Sequence, residues 1–366
     1  MRRILTTCIL LSQVLRTQES VPKTTLTGHV LDDSTGAPLL LANVFIAGST
    51  IGTSTAEDGS FVLKEVPFGT VEVVASLIGY KRVSSSLHVS SLDNPSVELR
   101  LTPSLIQLKP VLIDASERIK NLKKFMELFF GFSRNAKDCR VANTEIIEFQ
   151  PGDEPGMIRV DIGGPIDIEN KNLGYRLDYF LDEFTMHEKY VQFVGVTHFE
   201  DLKPKGKDQE REWMEARKKA YKGSLQHFLS ALVRRQLKEE GFSTYFVDEI
   251  SLTNRLRRKL EPDSVSSQGK LPFEKKLSFK GFLEINYFGE RPEPGFKDFL
   301  VLQGATSPRY TRLLAYQTSW ITMNRPEVTV NVDGLLYDPL AIMTYGYWSF
   351  ERVGEMLPLD YRPPPD

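Results

Sequence analysis

The sequence predicts a small antiparallel β-sandwich followed by a larger α+β domain with a mainly antiparallel sheet and one long helix. Three observations carry this expectation. Apolar residues alternate with period two between Thr24 and Leu101, turn formers separate those runs, and helical spacing appears from about Gln209 to Glu239 among further strands. At 366 residues the chain exceeds one average domain.

The chain starts with Met1-Arg2-Arg3 and a short apolar run from Ile4 to Leu15. A basic start before such a run is the pattern of a secretory leader, here residues 1–20, and the run is too short to span a bilayer. The expectation is an exported protein with no transmembrane span.

In the first domain, 24–102, Leu26, Gly28 and Val30 face one way and Thr25, Thr27 and His29 the other. Val44 with Ile46, Phe61 with Leu63, and Val71, Val73 and Ala75 give further inward sets. Val97, Leu99 and Leu101 close the series. Turns are expected at Asp32–Gly36, at Glu57-Asp58-Gly59 and at Val66–Gly69, where glycine supplies a left-handed backbone. Gly28 inside a strand marks a bulge or a close backbone approach. Asp32, Asp33 and Asp58 could meet around calcium, but carboxylates that brace turns are the commoner case.

These residues, in this order, resemble the carboxypeptidase regulatory-like domain: Thr27-Gly28-His29-Val30, Thr35-Gly36-Ala37-Pro38-Leu39, Ala42-Asn43-Val44, Asp58-Gly59-Ser60-Phe61, Val66-Pro67-Phe68-Gly69 and Ile78-Gly79-Tyr80. The resemblance implies a seven-stranded, Greek-key, transthyretin-like sandwich, grouped with carbohydrate-binding-like folds and used as an accessory module in the Gram-negative envelope. It does not imply peptidase activity. A metallocarboxypeptidase needs a His-x-x-Glu pair and a distant His for zinc. None of the five histidines, His29, His88, His187, His198 and His227, is followed three positions later by Glu.

Residues 103–115 read as a linker with a short strand at Val111-Leu112-Ile113. The second domain, 116–366, starts with a helix from Ser116 to Phe130, whose apolar face is Leu122, Phe125, Met126 and Phe129. An antiparallel meander follows, through Ile146–Phe149, Met157–Ile162, Ile166–Glu169, Tyr175–Leu181 and Val191–Phe199. The long helix then runs to a stop at Gly241. Later strands are expected at Ser243–Asp248, Leu277–Tyr287, Leu313–Met323 and Val328–Val332, with an extended tail at Tyr361–Pro365. Leu173-Gly174-Tyr175, Tyr221-Lys222-Gly223-Ser224 with His227-Phe228, and Gly346-Tyr347-Trp348 with Leu357-Pro358 resemble a region that follows the same sandwich in envelope proteins of no established activity. That resemblance implies architecture only.

The net charge of −2, with both signs interspersed, lacks the basic excess of a nucleic-acid binder. Removal of the leader takes Cys8 and leaves Cys139 alone, so no intramolecular disulfide is expected. No nucleophile elbow, HExxH, Walker or GxGxxG motif occurs.

Three constellations remain. His187, His198 and His227 would converge if the helix covered the hairpin. Asp161, Asp167, Glu169, Asp178 and Asp182 give a carboxylate-rich sheet face. Tyr175, Tyr179, Trp213, Tyr221, Phe228, Tyr345, Tyr347 and Trp348 form an aromatic set that, beside acids and Arg176 or Arg217, could line a sugar or peptide groove, and Tyr175, Arg176, Tyr179, Trp213 and His227 are the candidate ligand-binding residues. No catalytic residue, metal site or cofactor is assigned. The expectation is a non-enzymatic protein of the periplasm or peripheral to the outer membrane. Its sandwich would be an interaction or spacer module, and its second domain would bind an envelope protein, glycan or peptide. A periplasmic hydrolase is the alternative, and it requires a cleft holding close carboxylates or histidines with perturbed proton affinity.

Overall fold

The computed structural model describes residues 20–90, 95–104, 115–187, 191–250, 257–302 and 315–364. The leader up to residue 19 and the strand expected at 111–113 lie outside them.

The first third folds as two facing sheets. β1 (Lys23–Asp32), β4 (Ser60–Pro67) and β7 (Ser96–Leu101) form one, in the order β4-β1-β7. β2 (Asn43–Ile46), β3 (Gly52–Ser54), β5 (Gly69–Ser76) and β6 (Val83–Val89) form the other, in the order β3-β2-β5-β6. The inward sets pack into one core that includes Leu26, Val30, Val44, Phe61, Leu63, Val73 and Leu99. One pair departs from the antiparallel expectation: β7 runs parallel to β1, with Gly28 beside Val97. A side chain at Gly28 would sit 2.1 Å from the Val97 carbonyl oxygen, so the strand glycine permits a close approach. Asp32 Oδ1 accepts the Ser34 and Thr35 N–H groups, both at 2.8 Å, and Asp58 Oδ1 accepts Ser60 N–H at 3.0 Å. These carboxylates brace turns.

Helix α1 (Ala115–Phe130) lays Phe125 and Phe129 on a six-stranded sheet. The short α2 (Arg134–Lys137) follows, capped by the Ser133 hydroxyl. The sheet contains β8 (Cys139–Val141), β9 (Ile147–Pro151), β10 (Ile158–Ile162), β11 (Ile166–Asn170), β12 (Tyr175–Met186) and β13 (Val191–Asp201). It is not a simple meander. β12 is long enough to pair β11 and β10 end to end along one edge, while β13 covers the other.

The long helix expected from Gln209 is two helices, α3 (Lys207–Tyr221) and α4 (Leu225–Val233). Gly223 breaks it with a φ of +79°, and the Ser224 hydroxyl caps the new start by accepting His227 N–H. Helical spacing continued through the break because α4 keeps its own apolar face.

The remainder carries two further sheets. β14 (Phe242–Val247) and β15 (Arg258–Lys259) are followed by β16 (Ser266–Gln268), β17 (Glu274–Leu277) and β18 (Phe282–Tyr287). Then come α5 (Gly295–Leu302), β19 (Gln317–Met323), β20 (Val328–Asn331), β21 (Ile342–Gly346) and α6 (Tyr347–Glu351). The sheets run β15-β14-β18-β19-β21 and β16-β17-β20. The single strand expected at Leu277–Tyr287 is therefore divided between two sheets, at a turn where Gly281 takes a φ of +77°. The region after Ala115 has separate apolar cores. One lies under α1, and another is formed by Phe228, Leu232, Ile285, Ile321 and Trp348.

The sandwich is joined to β13. Gly48 N–H donates to Thr197 O at 2.6 Å, and Phe199 N–H donates to Ser49 O at 3.0 Å. Phe45 stacks on Phe180 and packs at a tilt against His198, with ring centroids 5.5 and 4.9 Å away. No described helix is long and apolar enough to cross a membrane.

Candidate functional site

The seam between the sandwich and α4 encloses a cleft of about 580 Å³. The sandwich contributes Lys23, Glu65, Thr70 and Glu72, while Tyr221, His227, Arg234, Asp333, Tyr337 and Arg362 face them. Most of its charges are paired. Arg234 and Arg362 both donate to Asp333, at 3.3 and 2.7 Å, and Lys23 lies 3.2 Å from Glu65. Such a wall offers donors and acceptors side by side, between apolar stretches from Val21, Ala231 and Leu336.

His227 is fixed in one tautomer. Its Nδ1 accepts the Gly223 N–H at 3.0 Å, so the Nε2–H donates to Glu240 Oε2 at 3.0 Å. Burial lowers its proton affinity, against the pull of Glu240. Protonation at Nδ1 would set two N–H groups against each other. His227 is thus a neutral wall residue that ties α4 to the Glu240 turn.

The other candidate ligand residues do not join it. Tyr175 and Tyr179 point inward from β12 and are buried in the core under α1. Arg176, between them, points outward and holds Asp167 through two bonds of 2.8 and 3.1 Å. Strand alternation sets Arg176 on the opposite face from the two buried tyrosines, so the three form no common groove. The Arg217 guanidinium covers the Tyr175 ring at 3.7 Å and donates to Leu173 O and Gly174 O. Trp213 donates from Nε1 to Lys171 O at 2.8 Å and lines a different cleft.

The three histidines do not converge either. His198 pairs with Asp178, eight positions along β12 from Met186, which is roughly 26 Å at strand rise. His198 abuts Gly52 of the sandwich, and His187 lies near Gly156. Among the described residues no group of His, Cys, Asp or Glu is arranged to hold a metal. The acidic sheet face is met by cations, with Arg159 on Asp161, Lys171 on Glu169 and Arg82 on Asp182.

A second cleft, of about 930 Å³, lies between α3, α2 and the α6 end. Trp213, Lys219, Glu290, Glu293, Glu351 and Glu355 line it. Burial, then repulsion from Glu355 and Glu293, pushes the Glu351 carboxyl well above its ordinary value. Burial raises Glu355 to about 7. Glu355 Oε2 accepts Asn135 Nδ2–H at 2.8 Å, whereas Oε1 is buried with no donor among the described residues. Between the two acids Arg352 adopts a φ of +45°, unusual for a residue with a side chain. Sequence reading missed these acids. The Glu351-x-x-x-Glu355 spacing was the available signal, and it is shared by many solvated helix faces.

Residues 26–113 match the family model described as the CarboxypepD_reg-like domain. The sandwich is a CarboxypepD_reg-like domain. The match spans about a quarter of the chain, so it says nothing of the region holding most of both clefts. No curated protein sequence matches the chain. Similar solved structures include a 3-chlorocatechol 1,2-dioxygenase from Rhodococcus opacus, 14% identical, covering 24% of this chain and 63% of that one, with a TM-score of 0.20. A Bacteroides uniformis protein provisionally described as carbohydrate binding is 11% identical, covering 49% of this chain and 80% of its own, with a TM-score of 0.19. A DUF3823 family protein from Parabacteroides merdae is 13% identical, covering 50% and 82%, with a TM-score of 0.18. The chain thus spans less than two thirds of the dioxygenase, and at these scores none of the likenesses carries a functional argument.

Proposed function

We propose that this is an exported, non-enzymatic binding protein of the bacterial envelope, with the seam cleft as its ligand site and a glycan as its ligand. The cleft carries the reading. It combines tyrosines with paired acids and bases, and a hydroxyl-rich ligand needs donor and acceptor together beside an apolar face. The CarboxypepD_reg-like domain and the basic-then-apolar start support the envelope setting. The test is calorimetric titration of envelope glycans and short envelope peptides into the full chain. Tyr221→Ala should weaken a glycan at least tenfold. A ligand indifferent to both Tyr221→Ala and Glu72→Gln would remove the seam cleft from the proposal, and a preference for peptides would replace the glycan.

The second cleft favours one alternative, acid–base hydrolysis. Glu355, protonated near neutrality, would give its proton to a leaving oxygen while an ionised neighbour takes one from the attacking water. Turnover of a glycoside that follows a bell-shaped pH profile and is abolished by Glu355→Gln would establish it in place of the binding role.

A further inference from the structure

The seam cleft has one wall that belongs to neither a sheet nor a helix. It is the segment around Leu359, Asp360, Arg362 and Pro363. Three of the seven residues from Pro358 to Pro364 are prolines, which have no N–H to give. Among the described residues, the segment's own main-chain donors make one bond outside it, Leu359 N–H to Gly48 O at 2.8 Å.

Side chains supply the other attachments, and they reach both halves of the molecule. On the sandwich, Asp360 Oδ1 accepts Thr50 N–H at 3.0 Å and Oδ2 accepts the Thr50 hydroxyl. On the other side, Arg362 donates to Asp333 at 2.7 Å, and Gln226 Nε2 donates to Leu359 O at 3.3 Å. Gly48 takes a φ of +74°, and a side chain there would meet Leu359 at 2.8 Å, so the turn is shaped to receive the segment. The docking is not saturated: the Tyr361 hydroxyl is buried beside Tyr221 with no partner among the described residues. A short strip held by a few polar contacts can detach without disturbing either core.

We propose that Leu359–Arg362 is a releasable strap that bounds the seam cleft when docked and admits the ligand when it detaches. The strap's role rests on the reading of that cleft as a ligand site, but its movement does not depend on the ligand.

Ser230 is 8% exposed, lines the cleft, and is nearly isosteric with cysteine. In the full chain carrying Cys8→Ser, Cys139→Ser and Ser230→Cys, the introduced thiol is the single one, and maleimide labelling reports access to the cleft floor. Adding Asp360→Ala with Arg362→Ala should raise the labelling rate tenfold or more while the unfolding midpoint is largely kept. Asp360→Asn, which keeps one accepting oxygen, should give a smaller rise. An unchanged rate in the folded double variant overturns the strap. If the double variant does not fold, an unchanged rate in Asp360→Asn overturns it equally. Because labelling uses no ligand, failure here is distinct from failure to find a glycan in the binding titration.

Discussion

Glu355→Gln should make the protein more stable at alkaline pH. The ordinary carboxyl value of 4.5 rises to about 7 at Glu355, chiefly through burial. Below pH 4.5 the side chain is protonated both folded and unfolded, and contributes nothing to the pH dependence. Between the two values the unfolded chain ionises first, so stability falls as pH rises. Above 7 the full penalty persists. At 1.36 kcal/mol per pKa unit, the penalty is about 3 kcal/mol. Glutamine keeps the acceptor for Asn135 and removes the charge. Removing the charge also relieves Glu351, whose carboxyl is raised partly by Glu355. Urea denaturation followed by tryptophan fluorescence, from pH 4.5 to 8.5, should show near-equal stability at the acid end. At pH 8 the variant should lead by about 3 kcal/mol. Parallel stability curves across that range would refute the argument and would leave Glu355 as an ordinary, well-solvated carboxylate.

Two further outcomes follow from close packing and burial. Gly174→Ala should lose about 2–5 kcal/mol, since about 1–2 comes from the left-handed backbone and about 1–3 from overpacking. Gly174 has a φ of +68°, and a β-carbon there would lie 2.2 Å from the Trp213 ring. Urea denaturation measures it, and a loss below 1 kcal/mol would contradict the contact. Cys139, pushed up to about 12 by burial and then by Glu355 and Asp138, should react with a disulfide reagent at pH 8 about a thousandfold more slowly in the native Cys8→Ser protein than in urea.

The sandwich was legible in the sequence because its physics is local. Each strand carries its own alternation, and each turn its own glycine or aspartate, as at Asp58-Gly59, where a side chain on Gly59 would strike Val30 O at 2.7 Å. The later fold was less legible where one residue overrides a periodic pattern. Gly223 divides the helix, and Gly281 sends adjacent strands to different sheets. The clefts were least legible. The seam cleft draws on Lys23, Glu72, Tyr221, Asp333 and Arg362, far apart in the chain and ordinary one by one. Among the candidate ligand residues, aromatic type pointed equally to core and groove, and Tyr175 and Tyr179 went to the core.

The seam also bears on what the sandwich is for. Period two puts Phe45 on the outside of β2, opposite Val44 and Ile46. An isolated spacer would leave that ring in water. Here Phe45 is 1% exposed, packed on Phe180 and His198, and backbone bonds from Gly48 and Ser49 extend the contact along β13. Val21, just ahead of β1, is buried in the core that contains Phe228 and Trp348. A module tethered only by a linker has no need of such attachments. That part of the sandwich's outer surface is committed to the rest of the chain, and Lys23, Glu65, Thr70 and Glu72 beside it form one side of the seam cleft. Phe45→Ala should therefore disturb the glycan binding proposed for that cleft as well as stability, whereas an equally large truncation inside the sandwich core, such as Phe61→Ala, should act through stability alone.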